Sequence, residues 1–129
     1  EYAVEHSPEL RIVVNTKLPE THPVTADDIA EEIDRCVSLV ASLAVHYADR
    51  NYRVHVNLDG VRFTIDEQRR NLARLLRALA VVEFQNSNEQ LQIGTDRSGS
   101  PVIVVSHPAS HDQLLLDGSV TVVGPEVLI

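Results

Sequence analysis

Two short stretches hold the residue types that could do chemistry. In "SHPASHD", Ser106, His107, Ser110, His111 and Asp112 crowd together. His107 and His111 are spaced i, i+4, which can set two imidazoles on one helix face as zinc ligands. Pro108 intervenes, so His107 falls ahead of a helix start, and the sequence names no third ligand. Ser106 or Ser110 with His111 and Asp112 has the makings of a hydrolytic triad. Chain neighbours cannot supply triad geometry, however, and no G-x-S-x-G elbow is present. The second stretch is "LRIVVNTKLPETHP", residues 10–23. An apolar run ending at Val14 breaks into a polar loop with Asn15, Thr16, Lys17, Pro19, Glu20, Thr21 and His22. Loops that leave the carboxyl ends of strands in open α/β sheets are where ligands are usually held. If both loops share one sheet edge, His22 can reach the histidines of the other.

The elements that must position these residues follow from hydrophobic spacing. Ile12 to Val14 read as a strand buried on both faces. Thr25 is placed to begin a helix, with Asp28 as an Asp version of the capping box. Ile29, Ile33, Cys36, Val37, Val40, Leu43, Ala44 and Tyr47 then recur at helical intervals, with Asn51 as the stop. Within that helix, Asp27, Asp28, Glu31 and Glu32 read as its solvated outer start. "YRVHVNLDGVRFTI" alternates apolar and polar residues on either side of Asp59-Gly60, a strong two-residue hairpin signature. One polar face places this hairpin at a sheet edge. Asp66 can cap a second helix through Leu72, Leu75, Leu76, Leu79 and Ala80. "QNSNEQ" and "GTDRSGS" read as loops, Pro101 to Val105 as a buried strand, Ala109 to Leu116 as a short helix, and Ser119 to Val123 as a last strand. The order β-α-β-β-α-β-α-β predicts an α/β three-layer sandwich. Its sheet would be mostly parallel and doubly wound, with helices on both faces and an antiparallel edge hairpin.

Composition narrows the function classes. The 129 residues suit a single domain, residues 1–129, with an aliphatic core, since there are two Phe, three Tyr and no Trp. No Met occurs even at position 1, which points to a fragment of a longer chain or a processed product. The single Cys36 suits a reducing compartment and a core position. A net charge of −8 argues against nucleic acid and anionic lipid as partners. The densest basic group, Arg69, Arg70, Arg74 and Arg77, has helical spacing and reads as a solvated face. No apolar run is long enough to span a membrane, no signal peptide is evident, and no glycine-rich phosphate loop follows a strand. No cofactor is expected.

The element order, with a long first helix and an edge hairpin after it, resembles the von Willebrand factor A domain. "EYAVEHSPELRIVVNT", "EEIDRCVSLVASLAVHYADRNYRVHVNL" and "NLARLLRALAVVEF" are more specifically similar to the bacterial domain of unknown function 58 family. In that family an R-E-Y-E stretch leads into the first strand. An A-S-L-like segment follows (here Ala41, Ser42 and Leu43), then an L-L-x-x-L-A helix (here Leu75, Leu76, Leu79 and Ala80). The resemblance covers residues 1–83 and weakens beyond.

The resemblance implies a carboxyl-terminal domain of a protein with two membrane-spanning helices upstream. It would be cytoplasmic and tethered to the inner membrane, with a MoxR-type AAA+ ATPase as partner in complex assembly. It also implies where a metal would sit, since metal-binding von Willebrand A domains carry D-x-S-x-S at the end of the first strand. Mg²⁺ takes hard oxygen ligands in octahedral geometry. Here the three positions are Asn15, Lys17 and Pro19, with Thr16 between them. The Thr expected after the hairpin is approached only by Thr64, which lies within the strand, and the later Asp position holds Ser106 and His107. The expectation is a degenerate metal site in a non-enzymatic protein-interaction domain, contacting its partner through Glu20, Thr21, His22, Ser106, His107 and His111. Two alternatives stay open: a metal-dependent adhesion module using Glu20, His22 and His107, and a flavodoxin-like small-molecule enzyme.

Overall fold

The computed structural model describes residues 8–66, 68–94, 100–117 and 120–124. The start of the family-like segment, most of "GTDRSGS" and the expected strand start at Ser119 lie outside them. The chain is mixed α/β around a mostly parallel five-stranded sheet. Its centre is β1, Glu9–Val14, after which Lys17–Leu18 form a short β2. Helix α1 is Asp27–Ala48, and the hairpin is β3, Arg53–Leu58, with β4, Val61–Ile65. Helix α2 is Leu72–Ala80. Then come β5, Gln85–Asn86, β6, Leu91–Gly94, and β7, Val102–Val105. A 3₁₀ turn, Pro108–Gln113, leads into β8, Leu114–Asp117, and β9, Val120–Val123.

The sheet order is β4-β3-β1-β7-β9, and only β4 runs antiparallel to its neighbour. Alternation along β1 sends Leu10, Ile12 and Val14 to one face, where they meet Val54, Val56 and Leu58 and the buried residues of both helices. Cys36 belongs to this core, as its place in the apolar stripe predicts. The other face is apolar only over β1, β7 and β9. There Val13, Val102, Val104, Val120 and Val122 are covered by Leu91, Ile93 and Leu114.

Helices on both faces are thus corrected: α1 and α2 touch each other and share one core cluster. The second face is covered by β6 and β8, paired in parallel. The helix expected at 109–116 is instead the 3₁₀ turn followed by β8. Leu114, Leu115 and Leu116 run consecutively, which suits a strand at least as well as a helix. "QNSNEQ" likewise contains a strand, since β5 pairs in parallel with β2.

Local signals held in some places and slipped in others. Asn51 (φ 66°) ends the first helix region in the left-handed conformation, as expected. Asp59 and Gly60 both have positive φ, as a two-residue hairpin turn requires. The capping readings are corrected. Helix α1 starts at Asp27 behind Ala26, with no side-chain cap bond. Asp66 accepts from Gln68 N and Arg70 N in the turn before α2, while Asn71 (φ 67°) stands at the helix start. Among the described residues, no helix is long and apolar enough to cross a membrane.

A Cβ added at Gly60 (φ +79°) would meet nothing within 4 Å. Gly60→Ala should therefore cost only the left-handed backbone penalty, about 1 kcal/mol. Denaturant unfolding would show this as a lowered midpoint with an unchanged slope.

Candidate functional site

Strand β1 lies between β3 and β7. The loops that leave β1 and β7 lie side by side at the carboxyl edge, the edge where open α/β sheets form a binding crevice. Asn15 and Ser106 are the first residues past these two strands, and both are buried. Asn15 N donates to the Val105 carbonyl, and Ser106 N to the Val123 carbonyl, so the main chain still follows the sheet. Across the gap, Asn15 Nδ2 donates to Ser106 Oγ at 3.1 Å. Asn15 Oδ1 accepts from Lys17 N at 3.1 Å, and Ser106 Oγ donates to the His107 carbonyl at 3.3 Å. Every polar atom of the Asn15 side chain is thereby engaged inside the protein.

Neighbouring polar groups are tied in the same way. Thr16 Oγ1 donates to Asp59 Oδ1 at 2.7 Å, joining the loop to the hairpin tip. Ser110 Oγ donates to the Lys17 carbonyl at 2.6 Å, joining it to the 3₁₀ turn. Lys17 Nζ reaches Gln85 Oε1 at 3.4 Å. His107 Nδ1 accepts from Ala109 N and so caps the 3₁₀ turn, which leaves the ring proton on Nε2. His107 Nε2 stands 2.9 Å from Glu32 Oε2, off the line of the ring N–H, an electrostatic contact more than an aligned hydrogen bond. Glu32 is therefore not purely part of the solvated start of α1.

The loops do meet, as the strand-end argument anticipates. The rings of His22 and His107 lie 6.1 Å apart, tilted by 53°. His22 Nδ1 contacts Thr21 Oγ1 at 3.0 Å, and Glu20, Thr21 and His22 are exposed. His111 is exposed on the 3₁₀ turn and His107 stands ahead of it as its cap, so the two share no α-helix face, as Pro108 between them predicts. Thr64 lies within β4, as its place in the alternating run predicts. It pairs with His55 within the sheet, and its hydroxyl is 2.9 Å from His55 Nδ1.

Metal chemistry can be tested against these donors. Asn15 brings an amide already used twice, Lys17 a cation, and Pro19 no ligand atom, so the set does not fit Mg²⁺. In the alternative set, His22 Nδ1 and His107 Nδ1 are both engaged. Among the described residues, no three His, Cys, Asp or Glu side chains converge on a point.

Several residues that hold the site escaped the sequence reading. Asn86 Nδ2 donates to the Pro19 and His22 carbonyls, and Asn86 Oδ1 accepts from Val24 N. Asn88 Oδ1 accepts from Glu20 N. Gln113 Nε2 donates to the Ser87 carbonyl. The Asn and Gln density of "QNSNEQ" was the available signal, because side-chain amides commonly satisfy loop backbone. Glu9, His55 and Thr64 form a further polar group, with Glu9 Oε1 2.7 Å from His55 Nε2. Their residue types match a triad, but Thr64 sits inside β4, and none of the three lines the 640 Å³ cavity at the carboxyl edge. That cavity opens between β1 and β3, beside Lys17, Asn57, Asp59 and Glu83.

Comparison with known proteins yields no match to any family model, curated protein or solved structure.

Ser110→Ala should remove the side-chain donor to the Lys17 carbonyl and cost about 1–3 kcal/mol, read by chemical denaturation. Asn86→Ala should speed amide exchange at Val24 and loosen residues 19–24 while leaving the β1 amides protected.

Proposed function

We propose that this chain is a non-enzymatic protein-interaction domain of von Willebrand factor A-like architecture. Its strand-end site uses internal hydrogen bonds where metal-binding relatives of that architecture use an ion. The observation that carries the reading is the Asn15–Ser106 bond at the β1/β7 crevice, with both side chains buried. An amide and a hydroxyl satisfied by each other have no use for a cation, and a fixed loop set loses little entropy on docking. The mostly parallel sheet with an antiparallel edge is compatible with the three-layer form of that architecture. The sequence resemblance to the domain of unknown function 58 family supplies the candidate partner, a MoxR-type AAA+ ATPase.

The contact surface is the exposed rim above the closed network, formed by Glu20, Thr21, His22 and His111, with Ser106 and His107 as its buried support. On this reading, tethering at the inner membrane comes from upstream helices and leaves the domain on the cytoplasmic side.

The test is retention of the AAA+ ATPase encoded nearest to this protein's gene on the immobilised full-length protein. Wild type should retain it. A Glu20→Lys, His111→Glu variant should lose at least about tenfold in affinity with its thermal midpoint unchanged, since exposed rim residues act on binding and not on folding. No retention by wild type, or equal retention by the variant, contradicts the proposal.

A further inference from the structure

The outer edge of β4 and the adjoining end of α2 form a second surface, away from the strand-end loops. The two-residue hairpin makes Leu58 and Val61 a bonded pair, so Val61, Phe63 and Ile65 turn their backbone groups toward β3. Arg53 N donates to the Pro8 carbonyl, which confirms that the alternate residues of β3 face β1. It follows that Arg62 and Thr64 present their backbone outward. The Thr64 carbonyl is taken by Asn71 Nδ2 at 3.0 Å. Among the described residues, nothing bonds the Arg62 N–H, the Arg62 carbonyl or the Thr64 N–H.

Beside this open edge lies an apolar groove of about 380 Å³, with Val61 and Phe63 on one wall and Ala78, Val81 and Val82 on the other. Val61 is 54% exposed and Val81 77%, a large exposure for two valines facing one groove. Arg74 and Arg77 are exposed on α2, four positions before Ala78 and Val81, and do not themselves line the groove. Arg62 lies on the opposite face of the edge, because alternation turns it away from Val61 and Phe63. Arg62, Arg74 and Arg77 make no ion pair among the described residues, in a chain whose net charge is −8. Asp59 and Glu83 are the charged residues that line the groove, so the positive charge of this surface lies outside it, at Arg62 on the strand edge and at Arg74 and Arg77 on the helix.

We propose that this edge docks an extended acidic segment of a partner protein, which adds to β4 as a further strand. Its apolar side chains enter the groove, and the alternate acidic ones meet Arg62. A second copy is disfavoured, because antiparallel pairing of two β4 edges about a two-fold axis brings Arg62 of each copy toward that of the other. The Asn71 cap leaves three open backbone groups, which selects a short segment and blunts indiscriminate edge pairing.

The probe is a fluorescent peptide of about eight residues alternating Val and Glu. It is titrated into the intact protein beside a Val/Lys peptide and a Val/Glu peptide interrupted by Pro. The expected result is saturable anisotropy for Val/Glu, with both controls at least about tenfold weaker. Arg62→Glu should shift the preference toward Val/Lys. Hydrogen exchange should slow at the Arg62 and Thr64 amides on binding, while strand-end loop variants leave this binding intact. No saturation by about 1 mM, equal binding of Val/Lys, or protection elsewhere overturns the proposal. Concentration-dependent protection of the same amides without peptide, with sedimentation as a dimer, also overturns it and assigns the edge to a second copy.

Discussion

The side chain of Asn15 is the constraint on which the rest of the site depends. β1 is the central strand, so the chain leaving it must carry its polar groups through a region already closed by β3 and β7. A buried amide left without partners there would cost a large share of a small domain's stability. The structure meets that requirement from both sides, with Lys17 N donating to the amide oxygen and Ser106 Oγ accepting from its nitrogen. Because Ser106 also serves the His107 carbonyl, one connected network spans the crevice. An Asp in place of Asn15 would lose the donor that this arrangement uses.

From that bond outward, each loop is held by more than one element. Ser110 and Gln113 tie the 3₁₀ turn to the β2–β5 region, and His107 reaches Glu32 on α1. Asn86 and Asn88 satisfy the backbone of residues 19–24 from outside. The buried part of the loops is thus fixed by hydrogen bonds, while Glu20, Thr21, His22 and His111 keep their side chains toward solvent. This division of labour suits the recognition surface proposed for these loops, exposed side chains on a rigid scaffold.

The parts of the fold legible in the sequence were those carried by strong local periodicity or by a turn with one physical solution. The α1 stripe, the Asp59-Gly60 hairpin, the Asn51 stop and the two buried strands are of this kind. The covering of the second face was not legible. Short apolar runs such as Leu114 to Leu116 suit helix and strand alike, and long-range pairing with β6 decides between them. Helix starts slipped because Thr25 and Asp66 have the right residue types, but the chain begins its helical dihedrals a little later. Within the site, the strand-end loops were located correctly from topology alone. Their amide ties to Asn86 and Asn88 were not, since nothing local links residues more than sixty positions apart.

The central claim is that hydrogen bonds, and not an ion, close the β1/β7 crevice. A thermal-shift titration of chelator-treated protein with Mg²⁺, Mn²⁺, Ca²⁺ and Zn²⁺ tests it most directly. An ion bound specifically to the folded state adds roughly 2.7 kcal/mol at one hundred times its Kd, a visible rise in Tm for a domain of this size. The account predicts no shift with Mg²⁺, Mn²⁺ or Ca²⁺ up to millimolar concentration. A saturable rise with Mg²⁺ or Mn²⁺, lost on Asn15→Ala, would contradict it, and a Zn²⁺-only rise would move the site to His22 and His107.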